Sequence, residues 1–295
     1  EKTFRSVEGM VRQIWQNNSE TDICLVYTIK NTFLEDEMAG KLPSPKMAME
    51  QIAGHYGIPS INFGTEVSRM VKDQQLLFEG KPSEIDGKPV FSRDGVHPYT
   101  ETGHRIYHEA LQRGFETMLQ EEKTATNRKD LPPPLTFNYF SNAQMLDPLE
   151  VERSENWETV KVEDVPSLTK FSPYIDQFGK ADQTGEYISV RFKGNAIGAY
   201  DVKGPGTGKI IVKIDGVVRD TISRFDAYCT YWRMSYFLID DLEDTEHEVV
   251  FKVLAEPLDK AAILAERNQV IKNPADYQEN NWYVGKILVN GVLME

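Results

Sequence analysis

Chemistry is most concentrated in this 295-residue chain at Asp94-Gly95-Val96-His97-Pro98. An aspartate three residues before a histidine can hold the imidazole by a hydrogen bond and stabilise its protonated form. The imidazole then acts as general base for a hydroxyl nucleophile, and later as general acid for the leaving group. Pro98 stiffens the loop, and a helix pattern opens at Thr100. Local spacing leaves a second reading open, in which Asp94 caps a turn and His97 is a surface residue. Asp94 and His97 are therefore the candidate catalytic residues.

Other motifs are weaker. His104 and His108 have the i, i+4 spacing of metal ligands on a helix. They lie beside the apolar stripe, however, and no acidic third ligand is fixed near them in sequence, so no metal site is expected. Gly204-Pro205-Gly206-Thr207-Gly208-Lys209 resembles part of a phosphate loop, but its spacing is one residue short and a strand pattern follows, so an inter-strand loop is expected. Phe225, Tyr228, Tyr231, Trp232, Tyr236 and Phe237 form an aromatic run suited to a sandwich core or to sugar faces. The acidic runs Asp240-Asp241 and Glu243-Asp244 lack calcium-loop spacing and are read as a solvated turn. Cys24 and Cys229 are too isolated for a disulfide framework and are expected as free thiols.

The elements that must position Asp94 and His97 follow from periodicity. Residues 4–17 show helical spacing of Val7, Met10, Val11, Ile14 and Trp15. Asp22–Thr28 is an apolar run of the kind found in a parallel strand buried on both faces. Ser44-Pro45 opens a helix that Gly57 stops, and Ser60–Phe63 is a second short strand. Val67–Phe78 is read as helical, and Gly80–Pro89 as a Gly/Pro-rich loop. Gly103, Tyr107, Ala110, Leu111, Gly114 and Met118 share a face of the last helix. Such alternation predicts a doubly wound α/β domain, whose active site lies beyond the carboxyl ends of the strands.

A charged, then proline-rich stretch ending in KDLPPP predicts a linker. From Leu135 onward the pattern is all-β. Strands are predicted at Thr136–Phe140, Trp157–Val162, Tyr187–Phe192, Ala196–Tyr200, Lys209–Ile214, Val217–Ser223, Trp232–Ile239, His247–Leu254, Trp282–Val289 and Val292–Met294. Asp215-Gly216 and Asn290-Gly291 read as hairpin turns, and a helical pattern near Asp259–Arg267 interrupts the strands. The expected organisation is an α/β domain over 1–122, a linker over 123–134 and a jelly-roll β-sandwich over 135–295.

DGVHP, with Thr100 and Gly103 leading into a helix, resembles the last conserved block of the SGNH (GDSL) hydrolase family. The upstream order agrees: a helix, the VYT strand, a helix ending in His55-Tyr56-Gly57-Ile58-Pro59, then the strand INF. The resemblance covers about residues 1–120. It implies a flavodoxin-like three-layer α/β/α fold and a Ser-His-Asp esterase, with His97 as base and Asp94 as its acidic partner. It also implies an acyl ester substrate, chiefly an O-acetyl group on carbohydrate, no metal or organic cofactor, and a periplasmic or secreted location. Residues Ala196–Leu254, with KIDG, DAYCTYW and EHEVVFKVL, are similar to the β-sandwich domains that accompany such esterases.

The family's nucleophilic serine sits in a Gly-Asp-Ser block, and its oxyanion-hole glycine and asparagine in two further blocks. None of these occurs in the 295 residues, and neither Ser60 nor Ser92 is assigned the role. Two parallel strands cannot cover their own edges and faces. An upstream segment of roughly 60–100 residues, two or three βα units, is therefore expected to complete the domain and carry the nucleophile. Should Glu1 be the true start, the alternative is a catalytically incomplete glycan-binding or structural module acting through its β-sandwich.

Composition narrows the partners. Apolar residues make up 40% and charged residues 27%, which fits a globular chain. The net charge of −13 disfavours nucleic acid and anionic membrane surfaces. No apolar run approaches the ~20 residues of a membrane helix.

Overall fold

The computed structural model describes residues 2–120, 130–136, 140–254 and 256–294. It divides into two compact units, Glu1–Ser141 and Asn142–Glu295. Among the described residues no helix is long and apolar enough to cross a membrane.

The first unit opens with α1 (Lys2–Asn17), whose Val7, Val11 and Trp15 are buried at helical spacing. They pack on Ile52, Ala53 and Tyr56 of α3 (Ser44–Tyr56). β1 (Leu25–Tyr27) and β2 (Ser60–Asn62) run parallel, with Val26 opposite Ile61. α2 (Asn31–Met38) and α4 (Phe63–Lys72) flank them. β3 (Leu77–Glu79) pairs in parallel with β5 (Lys88–Ser92), and β4 (Glu84–Ile85) adds to β5 as a hairpin. A π-helical turn, Thr100–His104, leads into α5 (Arg105–Gln120). Ile23 and Leu25 join the α1–α3 cluster, whereas Cys24 and Ile61 join the cluster of α4 and α5. Alternate residues thus bury into opposite helical layers, which is the α/β arrangement expected from the pattern.

Several expected elements differ. The helix at Val67–Phe78 begins earlier, at Phe63, where the Asn62 side chain accepts Gly64 N–H as its cap. It ends at Lys72, and Phe78 belongs to β3. The Gly80–Pro89 loop contains the β4–β5 hairpin, turned by Asp86 (φ 50°) and Gly87 (φ 75°). An Asp-Gly pair at positive φ is the two-residue turn that matches strand twist, so the signal was local and read too coarsely. β1 is shorter than the apolar run suggests. Among the described residues it pairs only with β2, and Val26 remains 43% exposed.

The proline-rich stretch does not behave as a free linker. Residues 121–129 lie outside the described residues. Beyond them, the buried Glu8 carboxylate accepts Leu135 N–H (2.6 Å) and Thr136 N–H (3.0 Å), and Arg12 donates to Pro132 O (2.7 Å). These bonds tie the stretch to α1, so the division falls at Ser141–Asn142 rather than at residues 134–135. The expected strand Thr136–Phe140 includes residues 137–139, outside the described residues; Thr136 and Phe140 are not in a strand.

The second unit is an all-β sandwich. Its short early strands are β6 (Ala143–Leu146), β7 (Glu152–Arg153), β8 (Glu158–Lys161) and β9 (Gln177–Ala181). The 17-residue β10 (Tyr187–Lys203) is its spine. β11 (Lys209–Ile214), β12 (Val217–Ser223), β13 (Arg233–Ile239) and β14 (Thr245–Leu254) follow. α6 (Lys260–Ala265), capped by Asp259, precedes β15 (Trp282–Leu293). One edge of β10 pairs first with β14 and then with β13; the other pairs with β7 and then β15. At Asn195 the register against β15 slips by one residue. That bulge reverses the side-chain phase, so Ile188, Val190 and Phe192 share one core with Ile197 and Ala199.

Asn290-Gly291 is not a hairpin turn. It lies inside β15 opposite Gly194, and a Cβ at Gly291 would stand 2.3 Å from Lys193 O. Here the glycine permits close backbone approach at the bulge, so the two strands expected over Trp282–Met294 are one. Likewise Tyr187–Phe192 and Ala196–Tyr200 are parts of β10. Asp215-Gly216 does turn a hairpin, with φ 52° and 81°.

Within this unit, buried Asp201 accepts Arg224 Nε (2.6 Å), Arg224 Nη2 (2.5 Å) and Trp282 Nε1 (3.0 Å). Asp201→Ala leaves the Trp282 indole N–H without its acceptor and the buried Arg224 guanidinium without its carboxylate, with Ser235 Oγ (3.0 Å) still accepting from Nη2. A loss of about 3–5 kcal/mol is expected, read as a lower urea midpoint, because one partner of a buried pair is removed. An unchanged midpoint would contradict a structural role for the pair.

Candidate active site

The site is built from the end of β5. Val90, Phe91 and Ser92 are fully buried, and the chain emerges at Arg93 into the loop that carries Asp94 and His97. Tyr99 N–H returns to Phe91 O (2.8 Å), and Thr102 Oγ1 donates to Val90 O. Both ends of the loop are therefore fixed to one strand. β3 and β5 are parallel, so the loop leaves the carboxyl ends of the strands, where α/β sheets place their chemistry.

The structure brings Asp94 and His97 together. His97 Nδ1 lies 2.8 Å from Asp94 Oδ2. Asp94 Oδ1 accepts the backbone N–H of His97 (2.8 Å) and of Val96 (3.1 Å). The aspartate makes both kinds of contact: one oxygen caps the turn, and the other holds the imidazole. The His97 backbone N–H, the His97 ring and the Val96 N–H hold the Asp94 carboxyl well below the usual carboxylate range. Ionised Asp94 only accepts, so Nδ1 carries a proton, and in the neutral imidazole the lone pair is then on Nε2. The His97 side chain is 69% exposed, and no described residue hydrogen-bonds Nε2. A substrate proton can reach that nitrogen.

Sequence reasoning missed two supports. Buried Ser92 accepts Asp94 N–H (3.3 Å), and its hydroxyl lies 3.0 Å from His97 O and 3.3 Å from Asp94 Oδ1. The Ser-x-Asp spacing could have revealed this local bond. Its direction also makes Ser92 a positioning residue, since it faces the carboxylate rather than the His97 ring. Asn31 N–H, at the start of α2, donates to Gly95 O (2.8 Å). Nothing local in sequence points to that contact. Gly95 has φ 76° and is buried; a Cβ there would meet Asn31 Nδ2 at 2.5 Å and Glu79 Oε2 at 2.6 Å. Only glycine fits. The weaker histidines, His104 and His108, are exposed on the π-helical turn and on α5. The stretch between β3 and the Asp94 loop is largely the β4–β5 hairpin.

No known family profile matches the sequence, and no curated protein matches it. Among solved structures, a two-domain esterase (CEX) active on acetylated mannans, co-crystallised with mannopentaose, matches 99% of this chain and 68% of its own, with a TM-score of 0.67 and 14% identity. A second structure of a two-domain esterase (CEX) active on acetylated mannans matches 98% of this chain and 68% of its own, with a TM-score of 0.66 and 15% identity. The shared feature at this identity is the fold: an α/β unit followed by an all-β sandwich.

The lowered Asp94 pKa has a definite sign. The folded loop binds fewer protons than an unfolded chain near pH ~4, so its ionised form favours the fold above the ordinary carboxylate value. That contribution is lost as pH falls through the depressed value. In a carboxyl carbon NMR titration, Asp94 is expected to stay ionised at about pH 4, where a free aspartate is half-protonated. An ordinary midpoint would contradict the three-donor geometry.

Proposed function

We propose that this chain is part of an SGNH-type serine esterase that hydrolyses acyl esters, chiefly O-acetyl groups on carbohydrate. The observation that carries this reading is the Asp94–His97 pair, bonded at 2.8 Å with Nε2 open to solvent. The fold shared with a two-domain esterase active on acetylated mannans supports the substrate class.

His97 Nε2 takes the proton of a serine hydroxyl as its oxygen attacks the ester carbonyl. Asp94 stays ionised and stabilises the imidazolium. The tetrahedral intermediate collapses by breaking the bond to the sugar oxygen, which leaves with the proton from His97. Water, deprotonated by His97, then attacks the acyl-enzyme; the carboxylic acid departs and the serine regains its proton. No step calls for a metal or an organic cofactor.

The serine and the oxyanion donors are assigned to a segment preceding Glu1 in the same domain. Three features support this: no Gly-Asp-Ser block occurs among the 295 residues, β1 pairs on one edge only among the described residues, and Val26 is half-exposed on a strand whose sequence suits burial. The same reading places the enzyme outside the cytoplasm, acting on glycan.

Protein that includes this segment is expected to hydrolyse 4-nitrophenyl acetate, and His97→Ala to lose about 10³-fold or more in kcat, as removal of a triad base does. A loss below about tenfold would remove His97 from the mechanism.

A further inference from the structure

We propose that Asn31 and Glu79 form the wall of the active site that meets the alcohol half of the ester, and that they select a polyhydroxy alcohol by bonding hydroxyls beside the scissile oxygen. This role rests on the hydrolytic reading of Asp94 and His97, and adds which half of the substrate the α/β unit recognises and by which groups.

Three parts of the unit meet at the catalytic loop. Asn31 opens α2 after β1, Glu79 ends β3, and the loop itself leaves β5. The two side chains converge on Gly95, where a Cβ would stand 2.5 Å from Asn31 Nδ2 and 2.6 Å from Glu79 Oε2. Gly95 is buried, whereas Asn31, Glu79, Asp94 and His97 are all exposed. Two polar groups open to solvent therefore lie over the backbone that joins the catalytic pair. Consecutive Cα atoms are ~3.8 Å apart, which keeps the Cα atoms of Gly95 and His97 within about 7.6 Å of each other. One sugar residue, with its hydroxyls, reaches across such a distance.

Both groups keep their bonding capacity. Among the described residues neither the Asn31 carboxamide nor the Glu79 carboxylate has a hydrogen bond or an ion pair. A carboxamide offers two donors and an acceptor oxygen, and a carboxylate about four acceptor sites. An acetyl group has no donor for them, and its one carbonyl oxygen is taken by the oxyanion donors during attack. The alcohol half of a sugar ester does match them: its hydroxyls donate to Glu79 and accept from Asn31 Nδ2.

The backbones beneath both side chains are tied to the loop. Asn31 N–H donates to Gly95 O (2.8 Å), and the preceding turn is held where Tyr107 Oη accepts Ile29 N–H (3.1 Å). Glu79 stands opposite Ser92 in the parallel register. Next to it, Gly80 N–H donates to Ser92 O (3.0 Å), and Tyr99 Oη donates to Gly80 O (3.1 Å). A wall fixed to the segment that carries the base holds bound hydroxyls in a set position relative to His97, which lowers the ordering cost of reaction.

The test compares two esters in protein that includes the upstream segment, read by acetate release: a mono-O-acetylated methyl mannopyranoside, and cyclohexyl acetate, whose six-membered ring carries no hydroxyls. Parental kcat/KM is expected to favour the sugar ester about tenfold or more, because a site that bonds substrate hydroxyls discriminates against the analogue lacking them. Asn31→Ala and Glu79→Ala should each lower kcat/KM for the sugar ester about fivefold, as loss of one net hydrogen bond does, and change cyclohexyl acetate less than about twofold. A parallel fall on both esters would make the residues structural and overturn the proposal. So would a parent without the preference, or either variant keeping the parental preference. A parent that cleaves neither these esters nor 4-nitrophenyl acetate removes the hydrolytic reading itself, and this wall with it; a parent active on 4-nitrophenyl acetate with unchanged variant preferences removes the wall alone.

Discussion

The α/β unit turns on one carboxylate that serves two masters. Asp94 Oδ1 gathers the backbone N–H groups of Val96 and His97, which makes the loop a single tight turn. Asp94 Oδ2 holds His97 Nδ1, which fixes the tautomer and aims Nε2 outward. The two sets of bonds support each other: the turn sets the distance between the two side chains, and the imidazole completes the carboxylate's donor set. Much of the nearby structure keeps this loop in place. Ser92 braces it from the strand side, Asn31 N–H from the start of α2, and Tyr99 N–H closes its far end onto β5. The parallel β3–β5 pairing then directs the loop toward the carboxyl ends of the strands.

This hierarchy explains which parts were legible in sequence. Asp94 and His97 lie three residues apart, so their chemistry and contact are encoded in one short segment. The helices α1 and α3 were legible for the same reason: Val7, Val11 and Trp15 repeat at helical spacing, and Pro45 and Gly57 bracket α3. Asn31 was not legible. Its contact with Gly95 depends on how β1 and β5 are ordered in the unit, and no local pattern carries that. Short strands such as β3 were misread because three residues cannot show a period. Leu76 and Phe78 fit an apolar helix face as well as a buried strand.

In the all-β unit, glycine was the ambiguous letter. Asp215-Gly216 and Asn290-Gly291 carry the same hairpin signal, yet only the first turns. At Gly291 the demand comes from the opposite strand: Lys193 O stands where a side chain would be, at the bulge that rephases β10. A turn glycine answers to its own φ, whereas a close-approach glycine answers to a neighbour a hundred residues away. Sequence displays the residue in both cases and the reason in neither. The bulge then decides the core, because without it Ile197 and Ala199 would face away from Ile188 and Phe192.

Asp94 and Asp201 show how one residue type is set to opposite tasks. Asp201 is fully buried, and burial pushes its carboxyl up while Arg224 and Trp282 pull it back. It needs its cation because desolvation would otherwise favour the neutral acid. Asp94 is 41% exposed, and backbone and ring N–H donors are the chief groups that hold it down. A carboxylate that must stay ionised through a reaction cycle is better served by the second arrangement. Its backbone N–H bonds do not change when His97 gains or loses a proton at Nε2, and no buried partner has to be neutralised. The exposed, donor-rich mouth of β5 therefore suits the role proposed for Asp94, whereas the solvation and bonding of the buried Asp201–Arg224 pair suit a structural one.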